Sequence, residues 1–183
     1  MFRLATVSDV PRIMTIIDGN RDFFKQQGID QWQQGYPYPS DIEKDIVGRT
    51  GYVLLRDDAI VAYGSASFIP ESHYRYLTEG LWETGDHNDF CTIHRLAVDT
   101  TCKGQGVASQ WLREVETICA IQKSRSIRLD THQDNQSMLR FLSKGGFVHC
   151  GHMVLPTGGE RVAYEKVLYI DTTSTYPKKQ PYF

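Results

Sequence analysis

From Thr92 to Trp111 the chain reads TIHRLAVDTTCKGQGVASQW, in which an apolar strand (Leu96, Ala97, Val98) runs into a short turn and then a helix. The turn passes through Lys103, Gly104, Gln105, Gly106, Val107 and Ala108, with Ser109 following. Gly lacks a Cβ and Ala has little beyond one, so a ligand can lie close against such backbone. The helix leaves its first N–H groups unpaired and presents the positive end of its dipole, which makes the turn an anion site suited to a pyrophosphate. A glycine-rich strand-to-helix connection without a ligand is the plainer alternative. Spacing discriminates among phosphate loops. The chain holds no Gly-x-x-x-x-Gly-Lys-Ser/Thr run, and the dinucleotide fingerprint fails because Ser109 stands where its third glycine belongs. The turn also falls past the middle of the chain, with too little sequence after it for a doubly wound sheet.

The segment resembles the acyl-CoA loop of the GNAT superfamily of N-acetyltransferases, Gln/Arg-x-x-Gly-x-Gly/Ala. Lys103 takes the Gln/Arg place, Gly106 the Gly place and Ala108 the Gly/Ala place. A second stretch extends the resemblance: strand Ser126–Asp130, then Asn135, then a helix ending in Lys144-Gly145-Gly146-Phe147. It is similar to the family's second motif, in which an Asn leads a helix that closes on Gly-Phe. The similarity covers most of the chain and is strongest from Thr92 to Phe147.

Composition fits one domain. Of 183 residues, 40% are hydrophobic and the formal net charge is −2, which argues against disorder, a nucleic-acid-binding tail or a polybasic membrane patch. No apolar run approaches the roughly 18 residues a membrane span requires. The N-terminus shows no charged-then-apolar leader pattern. Cys91, Cys102, Cys119 and Cys150 are widely spaced without a C-x-x-C pair, so a reducing cytoplasm is the expected compartment. Cys102 reads as a passive loop thiol. A metal site is not expected: His149 and His152 lie three apart on a predicted strand and so on opposite faces. Cys150 shares a face with His152, but two ligands are too few for zinc.

The pattern along the chain predicts α+β architecture. Strand Phe2–Val7 precedes a helix capped by Ser8, with Pro11 in its first turn and an apolar face of Ile13, Ile16, Ile17, Phe23 and Phe24; Gly28 ends it. An aromatic loop follows, containing Trp32, Tyr36, Pro37 and Tyr38. Ser40 with Glu43 reads as a capping box for a helix to Arg49. A hairpin joins Tyr52–Leu55 to Ile60–Phe68 across Asp57-Asp58. Residues 70–89 form a polar, aromatic-rich insertion of open conformation. Strand Phe90–Val98, helix Gln105–Gln122, strand Ile127–Asp130 and helix Gln136–Lys144 come next. A hairpin of Phe147–Leu155 and Arg161–Tyr169, turning over Pro156-Thr157-Gly158-Gly159, completes residues 1–170; it could pair with a second subunit in a homodimer. Residues 171–183 read as a polar, proline-broken extension.

The resemblance implies a mixed α/β/α sandwich, a central sheet of about seven strands flanked by helices, and acetyl-CoA as co-substrate without a metal. It implies that the strand before the loop splays from its neighbour, and that backbone groups of Leu96, Ala97 and Val98 meet the pantetheine arm. Amides from Gly104 to Ser109 would hold the pyrophosphate beside Lys103. Asn135 would touch the cofactor near its arm, with Phe141 packing beside it or simply in the core. The Val98 amide would stabilise the oxyanion of the thioester carbonyl. Where relatives often place a Tyr to protonate the departing thiolate, Leu142 stands, and Tyr164 is a substitute donor or a half-buried strand tyrosine.

An ammonium acceptor must lose a proton before it attacks. The family's strand Glu is replaced by Thr92, so His94, two residues along on the same face, is the candidate base, an imidazole's ordinary pKa being near 6.5, or else a histidine that merely hydrogen-bonds within the sheet. Glu79 and Glu83 are held in reserve, and Arg95, on the other face, reads as an ion-pairing residue. Trp32, Tyr36 and Thr92 are candidate acceptor contacts, with Trp32 equally readable as an anchor of its loop. The expected activity is direct transfer of an acetyl group to a primary amine, small-molecule rather than protein or peptide. A non-catalytic acyl-CoA sensor is the reading from another class.

Overall fold

The computed structural model describes residues 1–155 and 158–168. The expected C-terminal extension and the turn residues Pro156 and Thr157 lie outside these. In chain order the elements are β1 (Phe2–Leu4), α1 (Val10–Gln26), α2 (Pro39–Val47), β2 (Gly51–Arg56), β3 (Ala59–Ser67), β4 (Glu79–Gly80), β5 (Phe90–Val98), α3 (Val107–Ile121), β6 (Ser126–Thr131), α4 (Gln136–Lys144), β7 (Val148–Val154) and β8 (Glu160–Val167). The strands form one open sheet of eight in the order β1-β2-β3-β5-β6-β8-β7-β4. The β5–β6 neighbours run parallel and the remaining pairs antiparallel. The eighth strand is β4, a two-residue piece of the insertion that pairs with β7.

Local chemistry moves three boundaries from their expected places. β1 stops at Leu4 because Asp9 turns back on it: its carboxylate accepts from the Thr6 N–H at 2.8 Å and from Arg3 at 2.7 and 3.0 Å. A 3₁₀ turn over Val7–Asp9 therefore precedes α1, and Asp9 rather than Ser8 stands at the helix N-cap. α2 starts at Pro39, since the Asp41 carboxylate takes the Tyr38 N–H at 2.9 Å, a cap two residues earlier than Ser40 with Glu43. α3 waits until Val107 because Gly104 and Gly106 sit at φ 77° and 72°, a left-handed conformation that helices exclude.

Side chains alternate across β5 and divide the core. Cys91 and Ile93 face α3 and α4, packing with Trp111, Leu112, Val115 and Leu142. On the other face α1 and α2 cover β2 and β3 through Ile13, Ile17 and Ile42 against Val53 and Tyr63. The insertion covers the rest of that face, burying Tyr74 and Trp82 against Phe90, Met153 and Ala163. It is held down by Arg128 on β6, which is fully buried between the rings of Trp82 and Phe90 at 4.5 and 4.3 Å. Arg128 donates to Glu165 at 3.0 Å and to the carbonyls of Tyr74 and Gly85 at 2.9 and 2.7 Å. Glu165 also accepts from Ser126 and Thr84, each at 2.6 Å. Burial alone would raise the Glu165 carboxyl, but Arg128's charge and these hydrogen bonds hold it below the usual range.

Candidate active site

β5 and β6 pair only over Phe90–Thr92 with Ser126–Arg128, and beyond that the strands part. The facing edges, His94–Val98 and Leu129–Thr131, border a gap at the centre of the sheet. Val98 turns its backbone into that gap. Asp99 N–H donates to the Val61 carbonyl at 2.8 Å, the ladder bond that flanks a non-hydrogen-bonded Ala62–Val98 pair. In such a pair both N–H and C=O point away from the partner strand. The Val98 carbonyl is engaged by the Asn20 amide of α1 at 2.9 Å, leaving its N–H as the group aimed at the gap.

At the C-terminal end of β5 the chain makes a turn through two left-handed glycines into α3. Asp99 caps it, accepting from the Thr101 N–H and hydroxyl at 2.9 and 2.6 Å and from Arg12. Around Gly104 and Gly106 nothing lies within 4 Å of where a Cβ would be, so the loop's surface is open. The amides of Val107, Ala108 and Ser109 begin α3 and belong to its unpaired first turn. Lys103 places its ammonium 3.1 Å from the centre of the Phe23 ring, and burial there lowers its pKa. Arg56, unremarked in the sequence, braces the loop by donating to the Gln105 carbonyl and to Gln110 at 3.2 and 3.0 Å.

A cavity of about 1130 Å³ opens beside the gap. Its walls are the 30–38 loop, the start of the insertion at Glu71 and His73, and the far ends of β6, β7 and β8; Leu96 and Met138 line its junction with the gap. His94 and Arg95 both face it. Alternation predicted opposite faces for them, but the β3–β5 register slips by one residue between Tyr63 and Ser65, and Arg95 takes φ 55°. The resulting bulge sends Arg95 to the same side as His94, where it donates to Asp45 of α2 at 2.5 and 2.9 Å and to the Tyr36 hydroxyl at 2.6 Å. His94 Nε2 meets Glu71 Oε1 at 2.6 Å, and the Tyr74 ring stands edge-on to the imidazole at 5.6 Å.

Comparison with known proteins addresses the same stretch of chain. Residues 17–147 match the model of the acetyltransferase (GNAT) family. The chain belongs to the GNAT family. The protein is accordingly an acyl-CoA-dependent N-acetyltransferase. A GNAT-family acetyltransferase from Streptococcus agalactiae has 31% identity, with 91% of this chain and 94% of that one covered and a TM-score of 0.83. The uncharacterized N-acetyltransferase YesJ of Bacillus subtilis is 25% identical over 80% of this chain and 81% of its own. The PaiA N-acetyltransferase of Thermoplasma acidophilum, crystallised with coenzyme A, has 15% identity, 91% and 98% coverage and a TM-score of 0.66.

Not every residue singled out in this GNAT sequence reaches the cavity. Thr92 is fully buried beneath the insertion, its hydroxyl without a hydrogen-bond partner, and does not line the cavity. Tyr164 packs against the His149 ring at 5.3 Å on the α3/α4 side and is likewise outside the lining. Ala97 directs its side chain into the α1 core. Asn135 caps α4, accepting from Met138 N–H at 3.1 Å and Ser137 at 3.0 Å, and ties down the aromatic loop through Gln31 at 2.9 Å. Phe141 packs on the α3/α4 core, in which Leu142 is fully buried. Trp32 lines the cavity and also anchors its loop against Phe24 at 5.5 Å. The faces of His149 and His152 need correction. A bulge at Gly151, φ 142°, turns both to one side with their rings 5.7 Å apart. Among the described residues no group of three or more His, Cys, Asp or Glu side chains is disposed to hold a metal ion, and no helix is long and apolar enough to cross a membrane.

The unforeseen member of the site is Glu71. Only its place in an insertion of open conformation was legible; the partner it finds on β5 is set by tertiary packing. Of the reserve candidates, Glu79 sits exposed on β4 at the sheet's edge.

Proposed function

We propose that the enzyme transfers the acetyl group of acetyl-CoA directly to the primary amine of a small acceptor held in the cavity. The observation that carries this reading is the junction of gap and cavity at His94–Leu96, where a donor lying along β5 would meet an acceptor walled in by Trp32 and Tyr36. The anion loop supports the placement of the pyrophosphate, with the amides of Gly104–Ser109 as donors and Lys103 and Arg56 as nearby cations. A protein of the same fold crystallised with coenzyme A supports the choice of donor.

The chemistry follows from the groups present. An acceptor arrives as R–NH₃⁺ and gives one proton to His94, which leaves a lone pair on nitrogen. That nitrogen attacks the thioester carbon, and the charge developing on oxygen is met by the Val98 N–H. The carbonyl re-forms, the C–S bond breaks, and coenzyme A leaves as a thiolate that takes the second amine proton. Enclosure of the cavity by three segments favours a small acceptor over an extended peptide.

Thiol release from acetyl-CoA across a panel of small amines and N-terminal peptides, with acetyl-CoA binding by calorimetry in parallel, tests the proposal. Release with small amines and none with peptides is the expected outcome. Release with peptides alone would overturn the acceptor class, and absence of acetyl-CoA binding would overturn the donor site.

A further inference from the structure

We propose that Glu71 is the positioning residue of the base: it orients His94 by accepting from Nε2–H, so that Nδ1 is the atom that receives the acceptor's proton. The proposal rests on the reading of His94 as the base. His94 and Glu71 side chains are 19% and 29% exposed, sheltered yet open to the cavity, and their 2.6 Å separation is that of a charge-assisted hydrogen bond. Nε2 is the nitrogen engaged, and a neutral imidazole that donates from Nε2 keeps its lone pair on Nδ1. No described residue donates a hydrogen bond to that Nδ1.

The fold fixes Glu71 from three sides. It immediately precedes the 3₁₀ turn Ser72–Tyr74, whose N–H groups close back on it: Tyr74 N–H donates to the Glu71 carbonyl at 2.9 Å. Tyr74 is fully buried, bonded through its hydroxyl to Asp130 and through its carbonyl to Arg128. His73 Nε2 lies 3.6 Å from the second carboxylate oxygen. The groups around the pair are therefore His73 and Tyr74 on the turn, Arg95 beside it on β5 with Asp45 behind, and Asp130 on β6 through Tyr74. Burial alone would raise the Glu71 carboxyl. The hydrogen bond from His94, with the charge of Arg95 nearby, outweighs it and holds the group below the usual carboxylate range.

The step balances simply. R–NH₃⁺ and neutral imidazole become R–NH₂ and imidazolium, the new N–H bond forming at Nδ1 while Nε2–H stays on the Glu71 carboxylate.

Two readouts test this. Proton NMR of the free enzyme should show a slowly exchanging, downfield imidazole N–H resonance that vanishes in both His94→Ala and Glu71→Leu. Its absence from the wild type, or its survival in Glu71→Leu, would overturn the pairing without any acceptor being needed. With acetyl-CoA and the amine that releases thiol fastest, Glu71→Gln should lower kcat/KM about 10- to 100-fold with acetyl-CoA affinity unchanged. Glu71→Asp, which keeps the carboxylate, should restore part of that loss. An unchanged kcat/KM in Glu71→Gln would reduce Glu71 to a structural role. A full rate in His94→Ala while the wild type shows the N–H resonance would instead remove the base reading itself.

Discussion

At Gly106 the backbone adopts φ 72° with open space where a side chain would start, so the two consequences of substitution separate. A Cβ at this left-handed position costs about 1 kcal/mol of stability, so Gly106→Ala should still fold. That Cβ intrudes only slightly on the open surface where the pyrophosphate would lie, so acetyl-CoA should bind more weakly than to the wild type but more tightly than to Gly106→Glu. Gly106→Glu adds a carboxylate where the pyrophosphate would lie and should raise the acetyl-CoA Kd by about tenfold or more, most strongly at low salt. Calorimetry at two ionic strengths checks this; an unchanged Kd would misplace the phosphate. The loop was legible because glycine spacing is a local signal. Arg95 shows the opposite case. Strict alternation puts it on the face away from His94, and nothing in the residue itself announces a positive φ. The bulge lets Arg95 reach Asp45 of α2, which already accepts from Tyr63 at 2.6 Å, and that partner is distant in sequence.

The insertion is the element that the sequence left open, and its stability has a pH signature. Burial, then the charges of Arg128 and Arg125, pushes the His87 imidazole down to about 4. Its ring is fitted as the neutral form, with Nδ1 accepting from Asp89 N–H at 3.0 Å and Nε2 beside the Thr84 hydroxyl at 2.5 Å. Above pH 6.5 His87 is neutral folded or unfolded and contributes no pH dependence. As pH falls from 6.5 towards 4 the unfolded chain binds a proton that the folded chain refuses, so stability drops by about 1–3 kcal/mol across that window. His87→Gln should flatten this slope, measured as urea midpoints between pH 7 and 4; an unchanged slope would show that His87 is not its source. The expected bounds of β5 and α4 match to the residue, because β5 is an apolar run buried on both faces at its start and α4 is led by Asn135 and stopped at Gly145-Gly146. The insertion has no such signal of its own. Its order comes from Arg128 and Glu165, on β6 and β8, and so could not be read within residues 70–89.

On the scale of the molecule the sheet is two halves, β1-β2-β3-β5 and β6-β8-β7-β4, hydrogen-bonded to each other only over three residue pairs at Phe90–Thr92. Below that seam the halves are bridged by side chains of α3 and α4, not by backbone. The α+β class and helix-flanked sheet follow from the order of periodic segments; the eighth strand did not, since Glu79–Gly80 is too short to show a period. The gap itself was expected only through the family resemblance, for no sequence pattern marks where a strand stops pairing. A donor seated there would bond both edges and act as the missing part of the seam. Acetyl-CoA at 100 times its Kd should therefore stabilise the fold by about 2.7 kcal/mol, or about 5–10 °C in Tm for a chain of this length. Amide hydrogen exchange should locate the effect. Protection should rise along 94–98 and through 104–109 while β1 and β7, at the far sides of the sheet, stay as they were. Protection confined to 104–109 would mean that the donor's arm bypasses the gap, and protection spread evenly over all strands would mean global stabilisation without a seam.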